Sequence, residues 1–133
     1  MKVYISAHSP DVAEEAALFI NNNNDNPDIH FHVVSTWHSK PRIKKDEQCT
    51  DWEMTEKVTV NFCEIEKCDV LVLIAGPYKY TGGKFVEAGY ALGLGQPVVV
   101  VGRRENFMLF HENVTLCEGL ERLAETLISI RNQ

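Results

Sequence analysis

The stretch Asp69-Val70-Leu71-Val72-Leu73-Ile74-Ala75 decides the fold. After the single aspartate every position is apolar, whereas a strand with one face in water would alternate apolar and polar residues. A short, apolar run that contains β-branched residues is typical of a strand covered on both faces, as in parallel sheets. We therefore predict a buried parallel strand here, with helices on both sides of its sheet.

The residues before this strand alternate between strand and helix patterns. Lys2–Ala7 and Ile29–Thr36 are predicted to be strands. Ser9-Pro10 opens a helix, because serine is a good helix cap and proline suits the first helical position. Thr50-Asp51-Trp52-Glu53 matches a capping box, so a second helix begins there and runs to about Lys67.

The residues after it continue the alternation. A helix is predicted from about Gly83 to Leu94, a strand over Pro97–Val101, a short fifth strand over Val114–Leu116, and a last helix that carries Leu120, Leu123, Leu127 and Ile130 on one face. Strands separated by helices imply right-handed crossovers and a parallel sheet. The expected fold is a three-layer α/β/α domain, residues 1–133, with five parallel strands in the flavodoxin-like order 2-1-3-4-5.

Composition excludes several classes of function. The chain has 133 residues, with 13 Lys and Arg against 19 Asp and Glu, for a net charge of −6. This balance argues against binding a nucleic-acid polymer, which needs clustered positive charge. No apolar run is long enough to span a membrane. The N-terminus lacks the features of a signal peptide, so we expect a cytoplasmic protein with reduced thiols.

The cysteines and histidines give no sign of a metal site. The four cysteines are Cys49, Cys63, Cys68 and Cys117, and their spacing does not match common zinc motifs. No metal ion and no cofactor is therefore predicted.

Ligands of such sheets bind beyond the carboxyl ends of the strands. That rule selects the four segments Ala7–Asp11, Trp37–Cys49, Gly76–Lys84 and Arg103–His111.

Glu87 is the most informative residue near these segments. On a helix it aligns with Ala91 and Leu94, on an apolar stripe, near the helix start. A poised and partly desolvated carboxylate at the ligand edge is a candidate nucleophile or base. The alternative is that Glu87 only binds free backbone N–H groups at the helix start. Gly82 and Gly83 likewise allow two interpretations, which are close approach of a ligand to the backbone and a tight turn.

Several segments together carry a family resemblance. They cover most of the chain in order: Val3–Ala7, Ser35–Trp37, Ile65–Val72, Gly82–Leu92, Gly95–Val98 and Gly102–Phe107. The element Glu87-Ala88-Gly89-Tyr90-Ala91-Leu92 is the most specific of them. In these segments the chain resembles the nucleoside 2-deoxyribosyltransferase family, which includes 2′-deoxynucleoside 5′-monophosphate N-glycosidases.

The resemblance implies catalytic roles for particular residues. The family nucleophile falls on Glu87, which would attack the anomeric carbon and form a covalent deoxyribosyl-enzyme that passes to another base or to water. The family tyrosine of strand one falls on Tyr4. The family aspartate that handles the leaving base falls on Asn61, which can hydrogen-bond a base but cannot donate an acidic proton. Glu64 lies one helical turn away.

The resemblance also implies a substrate site. Thr81 stands six residues before the nucleophile, where transferases carry aspartate and monophosphate hydrolases carry serine, and a neutral hydroxyl there favours a nucleotide. Further expected substrate contacts are Ser6, His8, Ser9, Trp37, Gly82, Gly83 and Asn106, with charge from Lys79 and Lys84 and a further contact from Tyr80. Because related enzymes complete their sites across a dimer, a homo-oligomer is expected, with Glu105 and Asn106 reaching a neighbouring subunit.

Two other functions remain open on the sequence. A nucleotide-binding module with weak or no catalysis is motivated by Asn61 and Thr81, which differ from the family pattern. A flavodoxin-like electron carrier would share the architecture, but the loop Ala7–Asp11 is a poor phosphate loop for it.

Overall fold

The computed structural model describes residues 1–22, 30–39, 45–76 and 82–133. Five parallel strands form one sheet: β1 (Lys2–Ser6), β2 (His32–Val33), β3 (Val70–Ile74), β4 (Val98–Val101) and β5 (Val114–Cys117). Their order is β2-β1-β3-β4-β5, which confirms the predicted topology.

Four α-helices flank the sheet in the described part of the chain. They are α1 (Pro10–Asn21), α2 (Asp51–Lys67), α3 (Gly83–Gly93) and α4 (Leu123–Arg131). Short 3-10 turns lie at Asp46–Gln48, Phe107–Phe110 and Leu120–Arg122. None of the helices in the described segments is both long and apolar enough to cross a membrane.

The helix starts follow from their caps. The Ser9 side chain accepts a hydrogen bond from the Val12 N–H, with proline at the first turn as predicted. Thr50 and Glu53 form the predicted capping box at the start of α2. Trp52 is 69% exposed. It stands in the first turn of α2, of which Ile65 is the buried residue.

The alternating directions of strand side chains divide the core into two layers. Val3 and Ile5 pack with α1 and α4 on one side of the sheet. Tyr4 packs with α2 and α3 on the other side, against Ile65 and Ala88. Because alternate residues of β1 point to opposite sides, Tyr4 lies on the side of the sheet that α3 covers.

The predicted second strand is too long. Of Ile29–Thr36, the structure forms β-strand only at His32–Val33, and residue 29 lies outside the described residues. The Val34 N–H still donates to the Val3 carbonyl at 2.8 Å. Beyond it, the Ser35 and Trp37 side chains bind the backbone of Ile5 instead of a further strand residue.

Candidate active site

Tyr4, Ser6 and Glu87 meet at the carboxyl end of β1. The Tyr4 hydroxyl donates a hydrogen bond to Glu87 Oε2. The Ser6 hydroxyl donates to the other oxygen, Glu87 Oε1, at 2.8 Å. Tyr4 and Ser6 are fully buried and Glu87 is half-buried. Because each oxygen is held by a different donor, the carboxylate is fixed against rotation.

The position of Glu87 in α3 separates the two interpretations left open by the sequence. Glu87 is the fifth residue of the helix, one turn inside it, and the first turn contains no acidic residue. Its hydrogen bonds come from β1 rather than from backbone N–H groups at the helix start. The interpretation that Glu87 only caps its own helix is therefore wrong.

Burial and hydrogen bonding act in opposite directions on Glu87. Burial, the largest influence, raises the pKa of the Glu87 carboxyl above its ordinary value. The hydrogen bonds from Tyr4 and Ser6 lower this pKa, and the nearby negative charge of Glu64 raises it. The pKa of the Tyr4 phenol is strongly raised, by burial first and then by the charge of Glu87. Tyr4 therefore stays protonated and remains a donor.

A second carboxylate belongs to the same site. The Thr36 N–H donates to Glu64 Oε1 at 3.1 Å, and the Thr36 hydroxyl donates to Glu64 Oε2 at 2.7 Å. The charge of Glu64 raises the pKa of both Glu87 and Tyr4. The half-buried Asn61 has no hydrogen bond to Tyr4 or Glu87 within the described part of the chain. Its catalytic role stays a prediction.

The first loop contributes His8 and Ser9 at the same edge of the sheet. The His8 ring packs against the backbone of Gly76, such that a Cβ at Gly76 would lie 2.7 Å from His8 Nδ1. The Ser9 side chain caps α1, as described above, at 3.4 Å from the Val12 nitrogen. A substrate contact by His8 or Ser9 is a prediction that these positions leave open.

Lys84, which was expected to supply charge near a phosphate, is buried in an ion pair with Glu105. Its Nζ lies 2.5 Å from Glu105 Oε1, and the two side chains are 2% and 7% exposed. Glu105 also accepts the Gly76 N–H at 3.3 Å, and the Arg103 guanidinium donates to the Gly76 carbonyl at 2.9 Å. The charge of Lys84 is therefore neutralised inside the chain. The residue pair was missed because no local pattern signals a contact between residues this far apart.

Gly82 and Gly83 precede Glu87 by about one turn. Gly82 has an ordinary helical backbone (φ −77°), and a Cβ at either glycine would meet nothing within 4 Å. Neither glycine has a positive φ. The described backbone therefore requires glycine at neither position, and both interpretations of the pair stay open. Thr81, Lys79 and Tyr80 lie outside the described residues.

Trp37 and Asn106 each have a structural partner in this chain. The Trp37 Nε1–H donates to the Ile5 carbonyl at 2.8 Å, and its ring packs against both core layers. The exposed Asn106 caps the turn that follows it, with its side chain accepting the Met108 N–H at 2.9 Å. Substrate contacts by these two residues stay predictions.

The described residues contain neither a metal-ligand cluster nor a disulfide. Within them, no group of three or more His, Cys, Asp or Glu side chains is placed to hold a metal ion. All four cysteines are free thiols.

Comparison with known proteins identifies one informative structural neighbour. No family model matches the chain. No curated protein matches it. The CMP N-glycosidase BcmB of Clostridium botulinum has a similar structure, with a TM-score of 0.59 over 96% of this chain and 99% of that one. The two sequences are 12% identical, so the likeness shows that this chain shares the fold of a nucleotide N-glycosidase.

Proposed function

We propose that this protein cleaves the N-glycosidic bond of a nucleoside or nucleoside 5′-monophosphate, with Glu87 as the nucleophile. The observation that carries the proposal is the immobilised carboxylate of Glu87, which is half-buried and held by Tyr4 and Ser6 at the ligand edge of the sheet. A desolvated carboxylate in a fixed orientation is what displacement at an anomeric carbon needs. The fold shared with a CMP N-glycosidase supports the same reaction class.

The reaction has two steps. An oxygen of Glu87 attacks the anomeric carbon, and the C–N bond breaks with its electron pair going to the base. The departing base takes up a proton, and a covalent glycosyl-enzyme ester remains. Water or a second base then attacks the same carbon, which releases Glu87 as a carboxylate and gives transfer or hydrolysis. Tyr4 and Ser6 orient the carboxylate in both steps.

Two residues of α2 are available for the leaving base. Asn61 offers hydrogen bonds to a base edge but no acidic proton. Glu64 carries a carboxyl group whose charge already acts on Glu87 and Tyr4. We infer that Asn61 orients the base, and that the proton for the base comes through Glu64 or from water.

The glycines at the start of α3 favour a substrate with a 5′-phosphate. Gly82 is the N-cap residue of α3 and Gly83 is its first residue. A Cβ at either position would meet nothing within 4 Å in the described part of the chain. A backbone without side chains allows a phosphate or sugar to approach the N–H groups at the start of α3. The hydroxyl of Thr81 would donate a further hydrogen bond, and Ser6, His8, Ser9, Trp37 and Asn106 complete the proposed substrate-binding set.

We infer that the protein is a homo-oligomer. A groove of ≈ 390 Å³ lies between α3 and the turn Phe107–Phe110, and Gly89 and Gly93 line its helical wall. A Cβ at either glycine would meet nothing within 4 Å among the residues that the structure describes. Beside the groove, Phe107 is 80% exposed and Phe110 is 71% exposed. Exposed aromatic side chains beside an open groove on the same face suit a symmetric dimer, in which each chain inserts its phenylalanines into the groove of the other.

Analytical ultracentrifugation tests this assembly. Gly89→Arg fills the groove with a charged side chain and is expected to give monomers. Glu125→Arg, on the opposite side of the sheet, is the matched control. A wild-type protein that sediments as a monomer at micromolar concentration contradicts the assembly.

A nucleotide-binding module without turnover is the second candidate function. Asn61 in place of an acid favours it, and so does the fact that both oxygens of Glu87 already accept hydrogen bonds. Under this alternative a nucleoside monophosphate binds and no base is released.

Base release measured by chromatography tests the reaction. The substrates are ribo- and deoxynucleosides and their 5′-monophosphates, each with and without a second free base. We expect release by the wild type and by Glu125→Gln, and a loss of about a thousandfold or more in Glu87→Gln. Intact-mass spectrometry is expected to show a glycosyl adduct on the wild type and on Glu125→Gln, and none on Glu87→Gln. Full turnover by Glu87→Gln contradicts the proposal, and binding without release across the panel favours the second candidate.

A further inference from the structure

The end of β2 leaves one residue of β1 in need of new partners. Strand pairing between β1 and β2 stops at Val3 and Val33. The next residue of β1 whose backbone N–H and C=O point toward β2 is Ile5. Without new partners, these two groups would be buried and unpaired. The Ser35 Oγ accepts the Ile5 N–H at 3.1 Å, and the Trp37 Nε1–H donates to the Ile5 carbonyl at 2.8 Å. Residues 35–38, which we call the clamp, thus continue the sheet with side chains.

His38, the last residue of the clamp, links it to α1 through Glu14. Its Nε2 lies 2.6 Å from Ser35 Oγ, and its Nδ1 lies 2.7 Å from Glu14 Oε1. The His38 side chain is 3% exposed, and its ring meets the Trp37 ring edge-on, with centroids 5.3 Å apart. Because Ser35 Oγ already accepts the Ile5 N–H, a consistent arrangement has the serine hydroxyl donating to Nε2 and Nδ1–H donating to Glu14.

The order Ser–His–Glu is also that of hydrolase triads, but this arrangement does not suit a nucleophile. Ser35 is buried, with 4% of its surface exposed. Its oxygen is engaged by a backbone N–H, where an attacking oxygen needs access to a substrate. The network therefore positions other groups.

Thr36 is the group that the network positions. It stands between Ser35 and Trp37, the two residues fixed to Ile5, and it holds both oxygens of Glu64. Tyr4 and Ser6, the neighbours of Ile5 on β1, hold both oxygens of Glu87. Tyr4 and Ser6 therefore position the Glu87 carboxylate directly. Ile5, which lies between them, positions the Glu64 carboxylate through the clamp.

We propose that His38 is a positioning residue that, through Ser35 and Thr36, holds the Glu64 carboxylate at a fixed place relative to Glu87. The expected effect of His38 on turnover rests on the proposed function. The structural content of the proposal, the placement of Glu64 by His38, is independent of any activity.

The first test needs no substrate. ¹³C NMR titration of Glu87, assigned by its loss in Glu87→Gln, is recorded for the wild type, Glu64→Gln and His38→Ala. Because the charge of Glu64 raises the pKa of Glu87, removing that charge lowers it. If His38 holds Glu64 in place, His38→Ala lowers the pKa of Glu87 in the same direction. His32→Ala, at an exposed histidine of β2, is the matched control and leaves it unchanged.

The second test uses turnover. Misplacing a reacting group by about 1 Å costs on the order of a hundredfold in rate, so kcat of His38→Ala is expected to fall by about tenfold to a hundredfold, with KM nearly unchanged. In a Glu64→Gln background, His38→Ala is expected to cause no further loss, because two residues that act through one group are not additive.

Two outcomes overturn the proposal. One is an unchanged pKa of Glu87 in a folded His38→Ala protein. The other is a double variant His38→Ala/Glu64→Gln whose rate loss equals the product of the losses of the two single variants. If His38→Ala does not fold, His38→Phe replaces it in both tests, since that change keeps a ring in place and removes both hydrogen bonds of His38. If no substrate is turned over, the proposed function fails while the titration still decides the role of His38.

Discussion

Lys84 and Glu105 form an ion pair, with 2.5 Å between Nζ and Oε1 and both side chains almost entirely withdrawn from water. Lys84 lies in the first turn of α3, three residues before Glu87, and Glu105 lies in the segment after β4. Glu105 also binds the N–H of Gly76, at the end of the β3 segment. The pair therefore joins the start of the helix that carries Glu87 to the ends of two central strands.

Breaking this pair is expected to destabilise the protein strongly. Lys84→Met leaves the buried Glu105 charge with only the largely exposed Arg103, at 3.8 Å, as a cationic neighbour. Removing one partner of a buried ion pair typically costs about 3–5 kcal/mol in the free energy of unfolding. The double variant Lys84→Met/Glu105→Met buries no charge and is expected to lose less than Lys84→Met alone. Urea unfolding of the four proteins of this cycle measures the coupling. Equal losses in the single and double variants contradict the ion pair.

A side chain at Gly76 is expected to disturb the contact with His8. The added Cβ would lie 2.7 Å from His8 Nδ1, and overpacking of this kind costs about 1–3 kcal/mol. The Tm of Gly76→Ala is therefore expected to fall. Gly82→Ala is the matched control, since its Cβ meets nothing within 4 Å. We expect Gly82→Ala to keep its Tm and to bind nucleoside monophosphates more weakly, as measured by calorimetry.

Tyr4→Phe is expected to raise the pKa of Glu87. The Tyr4 hydroxyl donates to the carboxylate and thereby lowers this pKa, and phenylalanine removes the donor while it keeps the ring. The acid limb of kcat/KM is therefore expected to move to higher pH. Tyr90→Phe, whose hydroxyl binds the exposed Glu66 on α2, is the matched control. A limb that moves to lower pH contradicts the assignment of Tyr4 as the donor.

Glu87→Gln is expected to change how stability depends on pH. Burial raises the folded-state pKa of Glu87 above the unfolded value of about 4.3. Between these two values the native state binds more protons than the unfolded state, so the wild type loses stability as pH rises. The variant lacks this titration. The unfolding free energy of Glu87→Gln minus that of the wild type should therefore increase from pH about 4 and level off above the folded-state pKa.

Denaturant titrations at a series of pH values measure this difference. A difference that stays constant or declines over the acid range contradicts a raised pKa.

The helix starts could be predicted because they depend on neighbouring residues. The capping box of Thr50 and Glu53 and the cap at Ser9 lie within a few positions of the groups they bind. The length of β2 could not be predicted this way. It depends on side chains of Ser35 and Trp37 that bind Ile5, some thirty positions away.

The same distinction applies to the site. Glu87 stood out because one carboxylate interrupts an apolar helical stripe, and the family resemblance added Tyr4. The structure brings these two together. The Lys84–Glu105 pair and the hold of Thr36 on Glu64 have no sequence signal, since each joins segments whose proximity only the assembled sheet creates.

The central position of β1 has a consequence for the order of events during biosynthesis. Among the five strands β1 leaves the ribosome first, yet it lies between β2 and β3 in the sheet. It cannot complete its pairing until the chain through Ile74 has been made, and Glu87 follows later still. Contacts between residues this distant in sequence form slowly, because long loops must close first. A nascent chain that ends before Glu87 therefore has no assembled carboxylate site.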